Sequence, residues 1–198
     1  GSAVEKVAAE FPDTQFAIID MVVDLPNVQS IVFAEHEGSF LAGALAALKS
    51  ESGKAGYIGG MDIPLIRKFG CGFEQGFMYI KSDGEVYSNM VGSTGAAWND
   101  PARASELAKT QIAKGADVLF AAAGGSGIGV YQAAKDEGVY GIGVDSNQNY
   151  LQPGTMLTSM VKRVGVAAYG SWADAQAGEW KPGLKVMDLA AGGVDVAF

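Results

Sequence analysis

Apolar positions along this chain come in short continuous runs. Each run is followed by a turn and then by a stretch with helical period. Residues 3–10 read as a helix, 16–19 as a buried strand ending at Asp20, and 28–34 as a second strand. Residues 39–49 switch to helical period, because Phe40, Leu41, Ala44, Leu45 and Leu48 fall on one face at i, i+1, i+4, i+5 and i+8. A strand over 55–58 closes on Gly59-Gly60, and a helix starts near Pro64, where proline suits a first turn, and runs to about Lys81. Residues 85–91 read as the next strand. Asp100-Pro101 then reads as an N-cap followed by proline at the first helical position. In that helix Ala104, Leu107, Ala108, Gln111 and Ile112 lie on the core face or at its margin. The pattern continues with a strand at 118–123, a turn at Gly124-Gly125-Ser126-Gly127, and a helix whose inner face carries Val130, Ala133 and Ala134. A strand at 140–144 ends at Asp145. Another is expected at 156–160, with a helix after it through Trp172 and Ala177, and 185–189 reads as the last strand.

Alternating strands and helices with continuously apolar strands predict an α/β fold of Rossmann-like, doubly wound parallel sheets covered on both faces. Residues 55–145 supply enough elements for one such lobe. Residues 1–50 read as the end of a similar lobe, most of it absent. Both ends read as cuts in a longer protein, since the chain opens in a helix and stops at Phe198 just after an apolar segment.

Composition narrows the function classes. Hydrophobic residues are 48% of the 198 and charged residues 18%, which is enough apolar material for a core and excludes disorder. Fourteen Lys and Arg against 22 Asp and Glu leave a net charge of −8, which disfavours nucleic acid or an anionic membrane surface as partner. A small neutral ligand suits this balance. No apolar run approaches the roughly 20 residues of a membrane helix, and no signal peptide is visible. The one cysteine, Cys71, excludes an intrachain disulfide and reads most simply as a small buried residue.

Ligands of open α/β sheets bind at the carboxyl ends of the strands, which selects Asp20, residues 59–62, 98–100, 124–126 and 145–147. Asp145 directly follows an apolar strand, where a carboxylate can accept hydrogen bonds from the vicinal hydroxyls of a sugar. Asp-Ser-Asn is also good turn chemistry. The Gly124-Gly125-Ser126-Gly127 turn offers backbone N–H groups at a helix start, or is simply a tight strand-to-helix turn. Its glycines fail the dinucleotide fingerprint: counting from Gly125 places Val130 where the third glycine belongs, and counting from Gly127 places Gln132 there. Trp98, in a loop at a strand end, can stack on a flat ring, or is an ordinary half-buried aromatic. Lys162 can point into a cleft and donate to a ligand oxygen, or is a solvated charge. His36 is the only histidine. A metal site built on several histidines or cysteines is therefore unavailable, a Ser-His-Asp or Cys-His arrangement would have to use His36, and neither a nucleophile elbow nor a phosphate-binding lysine loop is present. No cofactor is expected and no catalytic residue stands out.

Several motifs in one order carry a resemblance. They are FAEHEGSFLAG from Phe33 to Gly43, Gly59-Gly60-Met61-Asp62, Gly72-Phe73-Glu74-Gln75-Gly76, Gly115-Ala116-Asp117-Val118, Ala123-Gly124-Gly125-Ser126-Gly127, Gly143-Val144-Asp145-Ser146-Asn147-Gln148, and Thr158-Ser159-Met160-Val161-Lys162-Arg163. Together they resemble the basic membrane protein (BMP, PnrA-like) family of ABC-transporter substrate-binding lipoproteins over nearly the whole chain. The resemblance implies a type I periplasmic-binding-protein fold of two lobes. Residues 1–50 would be the remnant of the first lobe, 51–150 the second lobe, and 151–198 the hinge and return segments. It also implies a non-enzymatic protein outside the cytoplasm, in the periplasm or on the cell surface. Such a protein would bind a purine nucleoside (guanosine, inosine or adenosine) in a cleft for delivery to an inner-membrane permease. By this resemblance Trp98 stacks on the base, Gly124 or Gly125 contributes a backbone contact, Asp145 holds the ribose, Lys162 is the basic contact, and Asp20 is a first-lobe pocket acid. The family's first strand and its aromatic loop are expected before residue 1, and the lipid-anchoring cysteine is absent from this chain. A sugar- or signal-binding relative on the same fold is the alternative, with a nicotinamide-dependent Rossmann enzyme behind it.

Overall fold

In the computed structural model, which describes residues 2–198, the chain runs α1 (Ser2–Glu10), β1 (Phe16–Ile19), β2 (Val28–Phe33), α2 (Glu35–Lys49), β3 (Lys54–Met61), α3 (Pro64–Ile80), β4 (Glu85–Gly92), α4 (Pro101–Ala113), β5 (Val118–Ala122), α5 (Gly127–Asp136), β6 (Tyr140–Asp145), β7 (Met156–Lys162), α6 (Val164–Ala177), β8 (Gly183–Met187) and β9 (Val194–Val196). Short 3₁₀ turns occupy Gly95–Asn99, Gly124–Ser126 and Asn149–Leu151. The chain divides into two compact units. One comprises the residues up to Ala34 with Arg163–Val194, and the other comprises Glu35–Lys162 with Asp195–Phe198.

The first unit holds a three-stranded parallel sheet in the order β1-β2-β8. Ala8, Val23 and Val28 form its small buried cluster, with Phe16, Ile18 and Leu25 packed around them. Buried Asn27 closes the end of α1. Its amide Nδ2 lies 3.0 Å from the carbonyl oxygen of Ala8, in the last turn of the helix, and from those of Phe11 and Thr14 in the turn that follows.

The second unit holds a six-stranded sheet in the order β4-β3-β5-β6-β7-β9, with parallel ladders from β4 through β7. Strand alternation sends Ile58, Leu119 and Ala121 to one face, where α4 and α5 cover them with Ala104, Leu107, Ala108, Val130, Ala133 and Ala134. Tyr57 and Phe120 point to the other face. There Phe73 of α3 lies 5.2 Å from Phe120, ring centre to ring centre, and Phe69 lies 6.4 Å away. The doubly wound parallel architecture expected from the apolar runs is therefore present. β9, which is only three residues long, is an edge strand that the apolar pattern did not reveal.

Helix α2 differs from its apolar pattern. The residues it buries are Glu35, Gly38, Ser39, Ala42, Gly43, Ala46 and Ala47, whereas Leu48 is 69% exposed. The reason is the closeness of α3. A Cβ built on Gly43 would meet the Phe73 carbonyl, one on Gly72 the His36 backbone, and one on Gly76 the Phe40 backbone. Two helices in backbone contact need small residues at the seam, so the bulky side chains lie at its margins. This packing places α2 in the second unit, so the compact units divide at Ala34 and not at residue 50. Cys71 is exposed, not buried as the sequence suggested, because the seam and core positions of α3 go to Gly72, Phe73 and Gly76.

Candidate ligand-binding site

In the second unit the strand order turns back between β3 and β5, since β4 lies on one side of β3 and β5, β6 and β7 on the other. In a doubly wound sheet the loops leaving two such strands run in opposite directions. They open a crevice at the carboxyl ends. The residues at this point are Gly59 and Gly60 of β3 and the turn Gly124–Ser126 after β5.

Trp98 sits over that crevice. It is half-buried in the 3₁₀ turn after β4, and its six-membered ring lies so close to Gly60 that a Cβ there would collide with it. A Cβ on Gly124 would lie 3.3 Å from the Trp98 carbonyl oxygen and 3.6 Å from the ring, and Gly124 itself has φ +57°. Glycine is required at both positions, for close approach at one and for left-handed backbone at the other. Ser126 is fully buried. Its Oγ donates to the Ala97 carbonyl at 2.7 Å and accepts from the Asp100 N–H at 2.7 Å. Asp100 caps α4 as expected, its carboxylate accepting from the Arg103 N–H at 3.0 Å.

Asp145, at the carboxyl end of β6, is exposed and has φ +65°. The Ser146 N–H donates to the Val144 carbonyl at 2.8 Å, so Asp145 is the central residue of a tight three-residue turn. Buried and half-buried partners hold the turn. Gln148 Oε1 accepts from the Val144 N–H (2.9 Å) and the Tyr131 hydroxyl (2.8 Å), while Ser159 Oγ accepts from the Gln148 N–H (2.9 Å) and donates to Asn149 Oδ1 (2.7 Å). Burial raises the Tyr131 phenol well above its usual range, and the Asp145 charge adds to the shift, so the hydroxyl remains a donor at all ordinary pH. Asp20 shows the same backbone feature in the first unit. It also has φ +65° after a parallel strand, and its N–H donates to the Ile31 carbonyl at 2.9 Å. Non-glycine residues with positive φ are uncommon, and strained backbone of this kind gathers at functional sites.

Lys162, at the end of β7, is buried, and a cleft-facing lysine was the sequence expectation. Its Nζ lies 3.6 Å from Glu35 Oε1, and Glu35 is itself fully buried with Lys68 Nζ 3.5 Å from its other oxygen. Removing either member of such a pair leaves a buried charge behind, so loss of Lys162 disturbs stability as well as any contact to a ligand. Asp62 is exposed and bonded twice by Arg67, at 2.6 and 2.8 Å. Those hydrogen bonds hold its carboxyl below the ordinary carboxylate range.

Trp98, Gly124 and Gly125 therefore stand together at the crevice, with Asp145 and Lys162 on the carboxyl ends of strands further along the same sheet. Asp20 belongs to the other unit. The strand-end rule selected the stretches that hold Gly60 and Ser126 without giving either a supporting role, and it passed over Gln148 and Glu35. Their placement at strand ends was the only available signal. Among the described residues no cluster of three or more His, Cys, Asp or Glu is arranged to hold a metal ion, and no helix is long and apolar enough to cross a membrane.

Residues 2–197 match a family model described as ABC transporter substrate-binding protein PnrA-like. The chain belongs to this family. Basic membrane protein B of Borreliella burgdorferi is 40% identical over 170 residues, which are 82% of this chain and 49% of that protein. The CD4+ T-cell-stimulating antigen of Listeria monocytogenes is 32% identical, covering 93% of this chain and 55% of its own. The chain thus spans about half the length of the curated relatives it matches. Among solved structures, an ABC transporter system solute-binding protein from Aeropyrum pernix K1 superposes with a TM-score of 0.88 at 29% identity, over all of this chain and 57% of that one. A transcriptional activator of the comK gene from Bacillus halodurans also gives 0.88, at 27% identity and over 67% of its length. The fold is that of the type I periplasmic binding proteins, and the family is one of substrate-binding components of ABC transporters.

Proposed function

We propose that this protein is the extracytoplasmic receptor of an ABC importer and that its ligand is a purine nucleoside: guanosine, inosine or adenosine. It works in the periplasm or as a surface lipoprotein, passes the nucleoside to a membrane permease, and performs no chemistry on it. Trp98 stacks on the base, the Gly124 and Gly125 backbone makes a polar contact, Asp145 accepts from the ribose hydroxyls, and Lys162 supplies the basic contact.

The observation that carries this reading is the pairing of an aromatic ring with a strained carboxylate on one rim. Trp98 is seated on glycines at the topological switch point, and Asp145 is held in left-handed backbone by a part-buried hydrogen-bond network two strands along from β3. A flat base with an attached diol matches that pair of features. The acidic chain also suits a neutral ligand better than a nucleotide.

Calorimetric titration with guanosine, inosine, adenosine, uridine and ribose tests the proposal. Saturable binding of the purine nucleosides with little response to ribose is expected. Ribose binding as tightly as guanosine would replace the nucleoside reading with a sugar-binding one.

A further inference from the structure

We propose that Ser126 is a positioning residue for Trp98: its single buried hydroxyl grips the chain on both sides of the tryptophan and so fixes the ring against which the ligand's flat face lies. The proposal rests on the reading of Trp98 as the stacking side chain.

Trp98 occupies an exposed place for a binding platform. Its turn follows β4, which is an edge strand, so the sheet supports it from one side only. Thr94, just before the turn, contributes no side-chain cap, and its carbonyl accepts the Ala97 N–H at 2.9 Å where the turn begins. Ser126 ties the far half of the turn to the strand-to-helix turn after β5. A serine hydroxyl has one hydrogen to donate and lone pairs to accept with. Ser126 spends both on this turn, donating to Ala97 O and accepting from Asp100 N, each at 2.7 Å. The two bonded residues bracket Trp98 and Asn99 in the chain. The grip is also anchored well, because Ser126 is buried and follows β5, a central strand with all five residues buried.

The glycines supply the other half of the arrangement. Gly60 lets the ring lie against β3, and Gly124 lets the Trp98 carbonyl approach the turn after β5. The ring is thus located by β3, by the Gly124 turn and by the Ser126 hydroxyl, and Ser126 does this through hydrogen bonds to backbone alone. Alanine at 126 removes the hydroxyl and leaves the Ala97 carbonyl and the Asp100 N–H to find other partners. The turn then loses its tether without losing any atom of the platform itself.

Three measurements test this. The first needs no ligand. With Trp172 and Trp180 replaced by phenylalanine, Trp98 is the only indole in the chain. Ser126→Ala should then shift its emission to longer wavelength and increase its quenching by acrylamide, and Gly60→Ala should perturb the same signal by pushing on the ring directly. Unchanged emission and quenching in Ser126→Ala overturns the proposal. The second is a thermodynamic cycle in the otherwise native chain, with guanosine and ribose as probes. Ser126→Ala should weaken guanosine about five- to tenfold and leave ribose unchanged, since each neutral hydrogen bond is worth about a factor of five. In a Trp98→Ala background the same substitution should have no further effect on guanosine, and an equal loss in both backgrounds overturns the proposal. The third uses the unaltered chain and does not depend on how any variant folds. The Asp100 amide should exchange slowly with deuterium, and fast exchange overturns the proposal. Failure of the full-length protein to bind guanosine would defeat the nucleoside reading, while the emission and exchange measurements would still decide the role of Ser126.

Discussion

Replacing Asp145 separates two things that the structure combines at one residue, a carboxylate and a left-handed backbone. Its φ of +65° costs an ordinary L-residue about 1–2 kcal/mol, and aspartate pays toward the low end because its short side chain bonds locally. Glycine removes that strain, while its extra freedom in the unfolded chain costs about 0.5–1 kcal/mol. Asp145→Gly is therefore expected to leave stability within about 1 kcal/mol of the native value, on either side of it. Asp145→Ala keeps the steric strain and loses any local bond, so it should be less stable than the glycine variant by about 1 kcal/mol. Both remove the acceptor proposed for the ribose. Hydrogen bonds to a charged group are worth about 1.5–3 kcal/mol, so guanosine should bind at least about 13-fold more weakly to either variant. Urea unfolding gives the first comparison and calorimetric titration the second. Native guanosine affinity in Asp145→Gly would remove Asp145 from the site. Unfolding of the glycine variant at lower urea than the alanine variant would refute the backbone argument. Asp145 is a cleaner test than Lys162, whose loss would take an ion-pair partner away from the buried Glu35 carboxylate.

Trp98→Ala should weaken guanosine by about 1–3 kcal/mol, the usual range for a base–aromatic stack, and leave ribose unaffected; a parallel loss for ribose would end the stacking idea. Gly76→Ala in α3 should destabilise the protein by up to about 2 kcal/mol in urea, because overpacking against backbone costs about 1–3 kcal/mol against a gain of about 1 kcal/mol in helix propensity. The same change at Gly170 in α6, where the nearest atom to the new Cβ is Lys185 Nζ at 3.9 Å, should instead stabilise by up to about 1 kcal/mol, and equal signs at the two sites would contradict the seam described for α2 and α3. Asp62 titrates below the ordinary carboxylate range because Arg67 bonds its charged form. Its pKa is lowered in the folded protein, so the pair supports folding above the unfolded carboxyl's pKa and stops doing so as pH falls through the folded one. In Arg67→Ala a carbon-13 titration should find Asp62 moved up toward its ordinary value, and an unmoved titration would show that Arg67 is not the cause.

Local information reached a long way in this chain. Apolar runs marked β3, β5 and β6 because strands buried on both faces need no alternation, and Pro64 and Asp100-Pro101 marked helix starts because those residues fit a first turn for steric and hydrogen-bonding reasons. The rule that ligands meet the carboxyl ends of parallel strands then picked out Trp98, Gly124 and Asp145 before any contact was known. Three kinds of feature were decided only by tertiary structure. The first is which face of α2 is buried. Its large apolar side chains pointed to one face, but backbone contact with α3 selects the small residues of another, and that contact involves residues 30 or more positions away. The second is the backbone of Asp20 and Asp145, whose positive φ is imposed by the turns that leave the strands and, at Asp145, by Gln148, Tyr131 and Ser159. The third is the set of supporting side chains. Ser126 meets a carbonyl 29 residues away, and Glu35 meets Lys162 across most of the second unit's sequence, so nothing in the neighbourhood of either residue announces the pairing. Sequence determines local geometry and burial pattern because those depend on near neighbours. Which polar groups satisfy one another depends on where the folded chain brings them.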